Sequence, residues 1–339
     1  FRNGSKANDP TPETIAEIGA HSPAHWSICP WDMDWYARAR WELPSTDFYK
    51  TVYQRRFGGD LLGVMEKLDY LRKLGVNAIY LNPVFTAPSL HKYDGACFHH
   101  IDPTFGPDRD GDMDMPGRAG ETEDPATWVW TAADRYFLDL VRDIHRRGMR
   151  VIIDGVFNHT GRNFFAFQDL LKNGRKSRFC DWYRITKWNR DGSFDYKGWF
   201  NHKGLPELGR GKDDLADPVR EYIFNITRRW MDPHGNGDLS AGVDGWRLDV
   251  AFCVPHGFWK KWRAHVKSIN PDAFLTAEIV DLAVDYLRGD EFDSVMNYMW
   301  LFPTVRFFGP SATPATAARQ GAANGKRFSF RKPPSATAR

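Results

Sequence analysis

The sequence predicts an α/β fold whose parallel sheet is covered by helices on both faces. Two observations carry this. From residue 60 onward a helix pattern followed by a short β-branched run recurs. The strand-like runs are also near-continuously apolar rather than alternating, as strands buried on both faces are.

In chain order, Leu61, Val64, Leu68, Leu71 and Leu74 recur at helical spacing, and Gly75 closes the helix. The run from Asn77 to Phe85 reads as a buried strand. A helix from about Ala132 to Arg147, ended by Gly148, precedes the strand Val151–Val156. A helix from Pro218 to Met231 precedes Val243–Val250, and one over Phe258–Ile269 precedes Phe274–Ile279. The run Phe292–Tyr298 reads as a fifth strand.

These units divide the chain. Residues 1–59, rich in Trp, Pro and turn formers, lead irregularly into a first part of the sheet domain at 60–159. About 90 residues separate the strand at 151–156 from the one at 244–250, far more than a simple connection needs. The stretch 160–212 therefore reads as a small inserted domain, and 213–308 as the second part of the sheet domain. Residues 309–339 are Ala, Pro, Ser and Arg and predict disorder. Asp108 to Asp124 reads as a shorter, solvated acidic loop.

Composition narrows the function classes. In 339 residues, 46 basic and 43 acidic side chains nearly cancel, which argues against a nucleic-acid surface. No apolar stretch approaches the roughly 20 residues a membrane span needs. The four cysteines, Cys29, Cys97, Cys180 and Cys253, form no C-x-x-C pair. They disfavour a zinc site and fit free thiols in a reducing, cytoplasmic setting. Fourteen tryptophans suit either a large core or a sugar-stacking site. Oligomeric state leaves no mark.

The chemistry concentrates at strand ends. In Gly245-Trp-Arg-Leu-Asp249, residues two apart share a face, so Arg247 and Asp249 point together. A charged pair on a buried strand is expensive, and function or a structural ion pair must retain it. Asp154 and Glu278 likewise sit near the C-terminal ends of their strands, the rim where barrel active sites assemble. Asp249 beside Arg247 is expected to have a depressed pKa, as a nucleophile needs. Glu278, with no cation near it in sequence, is expected to hold a proton as a general acid. A carboxylate separation of about 5–5.5 Å would mean retention, and about 6.5–9.5 Å inversion.

The segments His91-Lys-Tyr-Asp94, Asp154-Gly-Val-Phe-Asn-His159, Gly245-Trp-Arg-Leu-Asp-Val-Ala251, Ala277-Glu278 and Phe292-Asp-Ser-Val-Met-Asn-Tyr298 together resemble the α-amylase family, glycoside hydrolase family thirteen. The cyclomaltodextrinase, neopullulanase and maltogenic-amylase branch is the nearest. The resemblance implies a (β/α)8 TIM barrel, incomplete here at about strands two to six, with a small domain inserted after the third strand. It implies cleavage of α-1,4-glucosidic bonds in starch-like glucans with retention, Asp249 being the nucleophile and Glu278 the acid/base. Arg247 would orient Asp249, His159 and Tyr93 would bind the sugar, and Asp154 would brace the network, supported by Asn158. A calcium site is also implied at Asn3, Ser5, Asn8, Asp9, Gly58 and Asp60, oxygen-rich residues suited to that cation; the same residues are also ordinary turn formers. Asp110, Asp112, Asp114 and Glu121 are spaced like another calcium loop but lack the glycine at its sixth position.

The departures are as specific. After Tyr298 no His-Asp pair appears, so the family's third catalytic carboxylate is missing, and Phe1-Arg-Asn-Gly4 reads as the continuation of an absent first strand. This predicts a fragment that is itself impaired or inactive. Cys97-Phe98 stand where the family usually has Asp-Tyr, Phe252-Cys253 where the cyclodextrin-cleaving branch has Asn-Glu, and Val280 where it has Trp. The preferred glucan therefore stays open, as do transglycosylation and a non-catalytic glucan-binding role.

Overall fold

The computed structural model describes residues 2–16, 23–34, 36–45 and 47–308. The elements run α1 (Phe48–Thr51), α2 (Leu61–Met65), α3 (Leu68–Lys73), β1 (Ala78–Leu81), α4 (Arg109–Ala119), α5 (Ala132–Arg146), β2 (Arg150–Gly155), α6 (Phe165–Asn173), β3 (Ile185–Trp188), β4 (Phe194–Tyr196), α7 (Asp217–Met231), β5 (Gly245–Leu248), α8 (His256–Ile269), β6 (Phe274–Ala277), β7 (Ser294–Val295) and α9 (Tyr298–Phe308). Five strands form one sheet in the order β1-β2-β5-β6-β7, every neighbour parallel. β3 and β4 pair antiparallel as a separate hairpin.

The helices pack on the sheet through apolar faces. α5 buries Phe137, Leu138, Leu140, Val141 and Ile144, and starts in a capping box in which Thr131 and Asp134 satisfy each other's backbone N–H. Gly148, in the left-handed region at φ 73°, turns its end into β2. All four residues of β5 are buried. Trp246 sends its indole against Phe157 and Trp262, with ring centroids 5.9 and 6.0 Å away. A side chain at Gly245 would meet the Phe274 carbonyl oxygen at 2.2 Å, so β5 and β6 approach as closely as they do only with glycine there.

The N-terminal region has a small apolar cluster of its own, Trp26, Cys29 and Trp41. Beside it the buried Glu42 carboxylate accepts from both Nε and Nη2 of Arg55.

Three expectations need correction, and a fourth falls outside the described residues. The helix expected over 61–74 is two helices, because Lys67 leaves helical geometry and its N–H turns back to the Val64 carbonyl; Leu74 is exposed. The acidic stretch 108–124 is mostly α4, not a solvated loop. Asp112 is buried there, its two carboxylate oxygens accepting the Ala132 and Ala133 N–H groups at the start of α5. Helix termini leave such donors unsatisfied, and a carboxylate is their natural partner. The strand expected to reach Tyr298 stops at Val295, and Tyr298 opens α9, a helix with exposed Trp300, Phe302, Phe307 and Phe308. Residues 309–339, expected to be disordered, lie outside the described residues.

Candidate active site

Parallel register brings the strand-end residues together. Asp154 of β2 is the register partner of Arg247 of β5. Beyond the strands the ladder continues: Asp249 donates its N–H to Gly155 O at 3.0 Å, and Glu278 donates its N–H to Leu248 O at 2.9 Å. Three carboxylates from three adjacent strands thus converge at one edge of the sheet.

Arg247 holds them. Its Nη1 lies 3.0 Å from Asp154 Oδ1 and 2.9 Å from Asp249 Oδ1, and its Nη2 lies 2.8 Å from Glu278 Oε2. Its Nε faces Met296 Sδ at 3.3 Å. The planar fork of a guanidinium can serve three partners at fixed angles, which an ammonium cannot.

One cation among three carboxylates leaves the site over-acidic. Burial pushes the Asp249 carboxyl up to about 8; Asp154 and Glu278 add to the rise, and Arg247 opposes it. Asp154 is raised too, by burial first. The expectation of a depressed Asp249 pKa is therefore reversed: desolvation and like charge outweigh the single arginine. The expectation that Glu278 lacks a cation also fails, because sequence distance hid its contact with Arg247.

Backbone strain shapes the rim. Val250 sits at φ 38°, which a β-branched residue rarely adopts, and donates its N–H to Glu278 Oε2 at 2.9 Å. Tyr93 donates its hydroxyl to Asp154 Oδ2 at 3.1 Å, its ring 5.8 Å from the Arg247 guanidinium carbon. His159 is buried, and desolvation pushes it down to about 3, so it is neutral; a backbone hydrogen bond with Tyr93 pulls the other way. Asn158 Nδ2 lies 3.0 Å from His159 Nδ1, while Asn158 Oδ1 is buried with no partner.

Two residues escaped the sequence reading. Tyr80 on β1 donates its hydroxyl to Asp154 Oδ2 at 2.5 Å; its position in an apolar strand gave no signal. Trp199, after the β3–β4 hairpin, stacks on His159 at 5.8 Å; it was one aromatic among many in that stretch.

The residues of the expected calcium site lie apart from the rim. Asp60 is buried and caps α2, its carboxylate accepting the N–H groups of Gly4, Ser5 and Gly63 and the Asn8 amide. Ser5 Oγ accepts from Ala7 N–H. Asn8 Oδ1 is buried without a partner. A side chain at Gly58 would meet Asn3 Nδ2 at 2.2 Å and Asp9 Oδ1 at 2.6 Å.

Fold and site together define a class: a parallel α/β domain with a carboxylate cluster at the C-terminal rim of its sheet. The chain belongs to the α-amylase family, whose catalytic domain matches residues 5–114 and 132–324 and implies the (β/α)8 barrel for the fold. It is 40% identical over 254 residues to neopullulanase 2 of Thermoactinomyces vulgaris, covering 74% of this chain and 37% of that protein. It is 35% identical over 311 residues to a cyclomaltodextrinase of Thermoanaerobacter pseudethanolicus, covering 91% and 42%. The crystal structure of a debranching enzyme from Nostoc punctiforme is 34% identical, with a TM-score of 0.59 over 76% of this chain and 46% of that one. The chain spans less than half the length of these relatives. Among the described residues no helix is long and apolar enough to cross a membrane.

Proposed function

We propose that the chain is part of a glycosidase that hydrolyses α-1,4-glucosidic bonds in starch-like glucans with net retention. The observation that carries this is the Arg247 fork, which gathers Asp249, Glu278 and Asp154 at one rim. Asp249 attacks the anomeric carbon while Glu278 protonates the departing oxygen; Glu278 then takes a proton from the incoming water, which releases the sugar from Asp249. Arg247 fixes Asp249, and Asp154 with its two tyrosine hydroxyls fixes Arg247. Neutral His159 and the Tyr93 ring face the sugar, supported by Asn158. The five strands are read as the second to sixth of the barrel, the β3–β4 hairpin belonging to the domain inserted after the third. Four free thiols, together with a relative named intracellular maltogenic amylase, favour a cytoplasmic setting.

The chain, alone and extended by its natural flanking sequence, is assayed on soluble starch. Release of α-anomeric reducing sugar that Asp249→Asn abolishes is expected. An unchanged rate in Asp249→Asn would overturn the assignment of the nucleophile.

Calcium is part of the same proposal. The orphaned Asn8 Oδ1 and the side chains of Asn3 and Asp9 packed around Gly58 fit a hard cation. Ser5 and Asp60 would shape the site from behind, since their oxygens are engaged with backbone N–H groups. Calcium should raise Tm, and Asp9→Ala should remove that rise.

A further inference from the structure

A second cluster of ligand-type side chains lies outside the rim, behind the segment that carries Tyr93. Cys97, His99 and His100 place one ligand atom each within 4.8 Å of one another. Both imidazoles turn Nε2 to the same oxygen: His100 Nε2 lies 2.7 Å and His99 Nε2 3.3 Å from Glu121 Oε2. Their other nitrogens are held from outside, His100 Nδ1 at 2.8 Å from Asp134 Oδ2 and His99 Nδ1 at 2.9 Å from the Tyr222 hydroxyl. The His99 ring also lies flat on Trp128, 4.3 Å between centroids and 1° between planes. Glu121 Oε1 accepts the Val129 N–H, which leaves Oε2 to face inward.

We propose that Cys97, His99 and His100 form a structural site for a divalent transition-metal ion of the zinc class, beside the Glu121 carboxylate. One sulfur and two imidazole nitrogens make a donor set suited to zinc or cobalt and unsuited to calcium or magnesium. The partners Asp134, Tyr222 and Glu121 supply what such ions need, a fixed orientation for each histidine ring.

The cysteine pattern gave no hint of this, because only one of the three ligands is a cysteine.

The untagged chain is stripped with a chelator and titrated with Co2+. One equivalent should bind with the visible absorption of tetrahedral cobalt and a thiolate-to-cobalt band in the near ultraviolet. Zn2+ should bleach both bands. Cys97→Ser should lose the thiolate band alone, and His99→Gln should weaken binding by at least about tenfold. Absence of cobalt absorption in a chain with intact circular dichroism would overturn the proposal, and the cluster would then be an ion network only. So would a spectrum unchanged in both variants.

Discussion

Two of the ionic networks that the described residues bury are built on opposite principles. At the rim one cation, Arg247, faces three carboxylates, and both Asp249 and Asp154 are pushed upward. At the start of α5 two carboxylates, Glu121 and Asp134, face protonated His100 and Arg229, and both are held below their usual range. Arg229 is further covered by the Trp130 ring, 3.7 Å from its guanidinium carbon. A balanced buried network repays its desolvation; an over-acidic one does not. The second arrangement ties elements together. The first holds charge at the expense of stability, as sites tuned for proton transfer do.

The contrast can be broken from several directions. The largest effect is expected at Glu278→Gln, which keeps shape but cannot exchange a proton; kcat on starch in an active form of the enzyme should fall by about 10²–10⁴-fold. Next is Arg247→Met, which leaves three carboxylates without their cation and should cost about 3–5 kcal/mol in urea unfolding. Arg229→Met deprives Asp134 of one partner while His100 remains, so its loss should be the smaller of the two; equal losses would erase the distinction. Asp154→Asn removes a charge that raises Asp249, so the acid limb of kcat/KM should move to lower pH. The smallest effect is Tyr80→Phe, which removes one hydrogen bond to a carboxylate and should cost about 1.5–3 kcal/mol at most.

How much of this was legible depended on distance along the chain. The helix over Ala132–Arg146 showed plainly, because its apolar residues recur every three or four positions and Gly148 marks its end. Arg247 and Asp249 were readable as same-face neighbours because strand geometry fixes residues two apart. The contact of Arg247 with Glu278 was not, since the two are 31 positions apart and only the β5–β6 register brings them together. The sign of the Asp249 shift failed for the same reason: one neighbouring cation is visible locally, whereas Asp154 and Glu278 arrive through the sheet. α4 was missed because its charged residues read as solvated, while Asp112 is buried as a cap for α5 and Asp108 caps α4 itself. The segment 292–298 has a strand's composition, but pairing with β6 ends at Val295.

The claim that the rim holds excess negative charge is tested most directly by thermal stability against pH for the wild type and Asp249→Asn. The Asp249 carboxyl ordinarily titrates at 3.8 and is raised to about 8 in the fold. The folded state thus binds its proton more tightly, and stability present below pH 3.8 is lost as pH rises towards 8. The asparagine carries no such loss. Asp249→Asn should therefore gain Tm over the wild type progressively from about pH 4 to about pH 8, with no advantage below that range. A variant that is less stable than the wild type at pH 8, or an advantage that does not change with pH, would contradict the account.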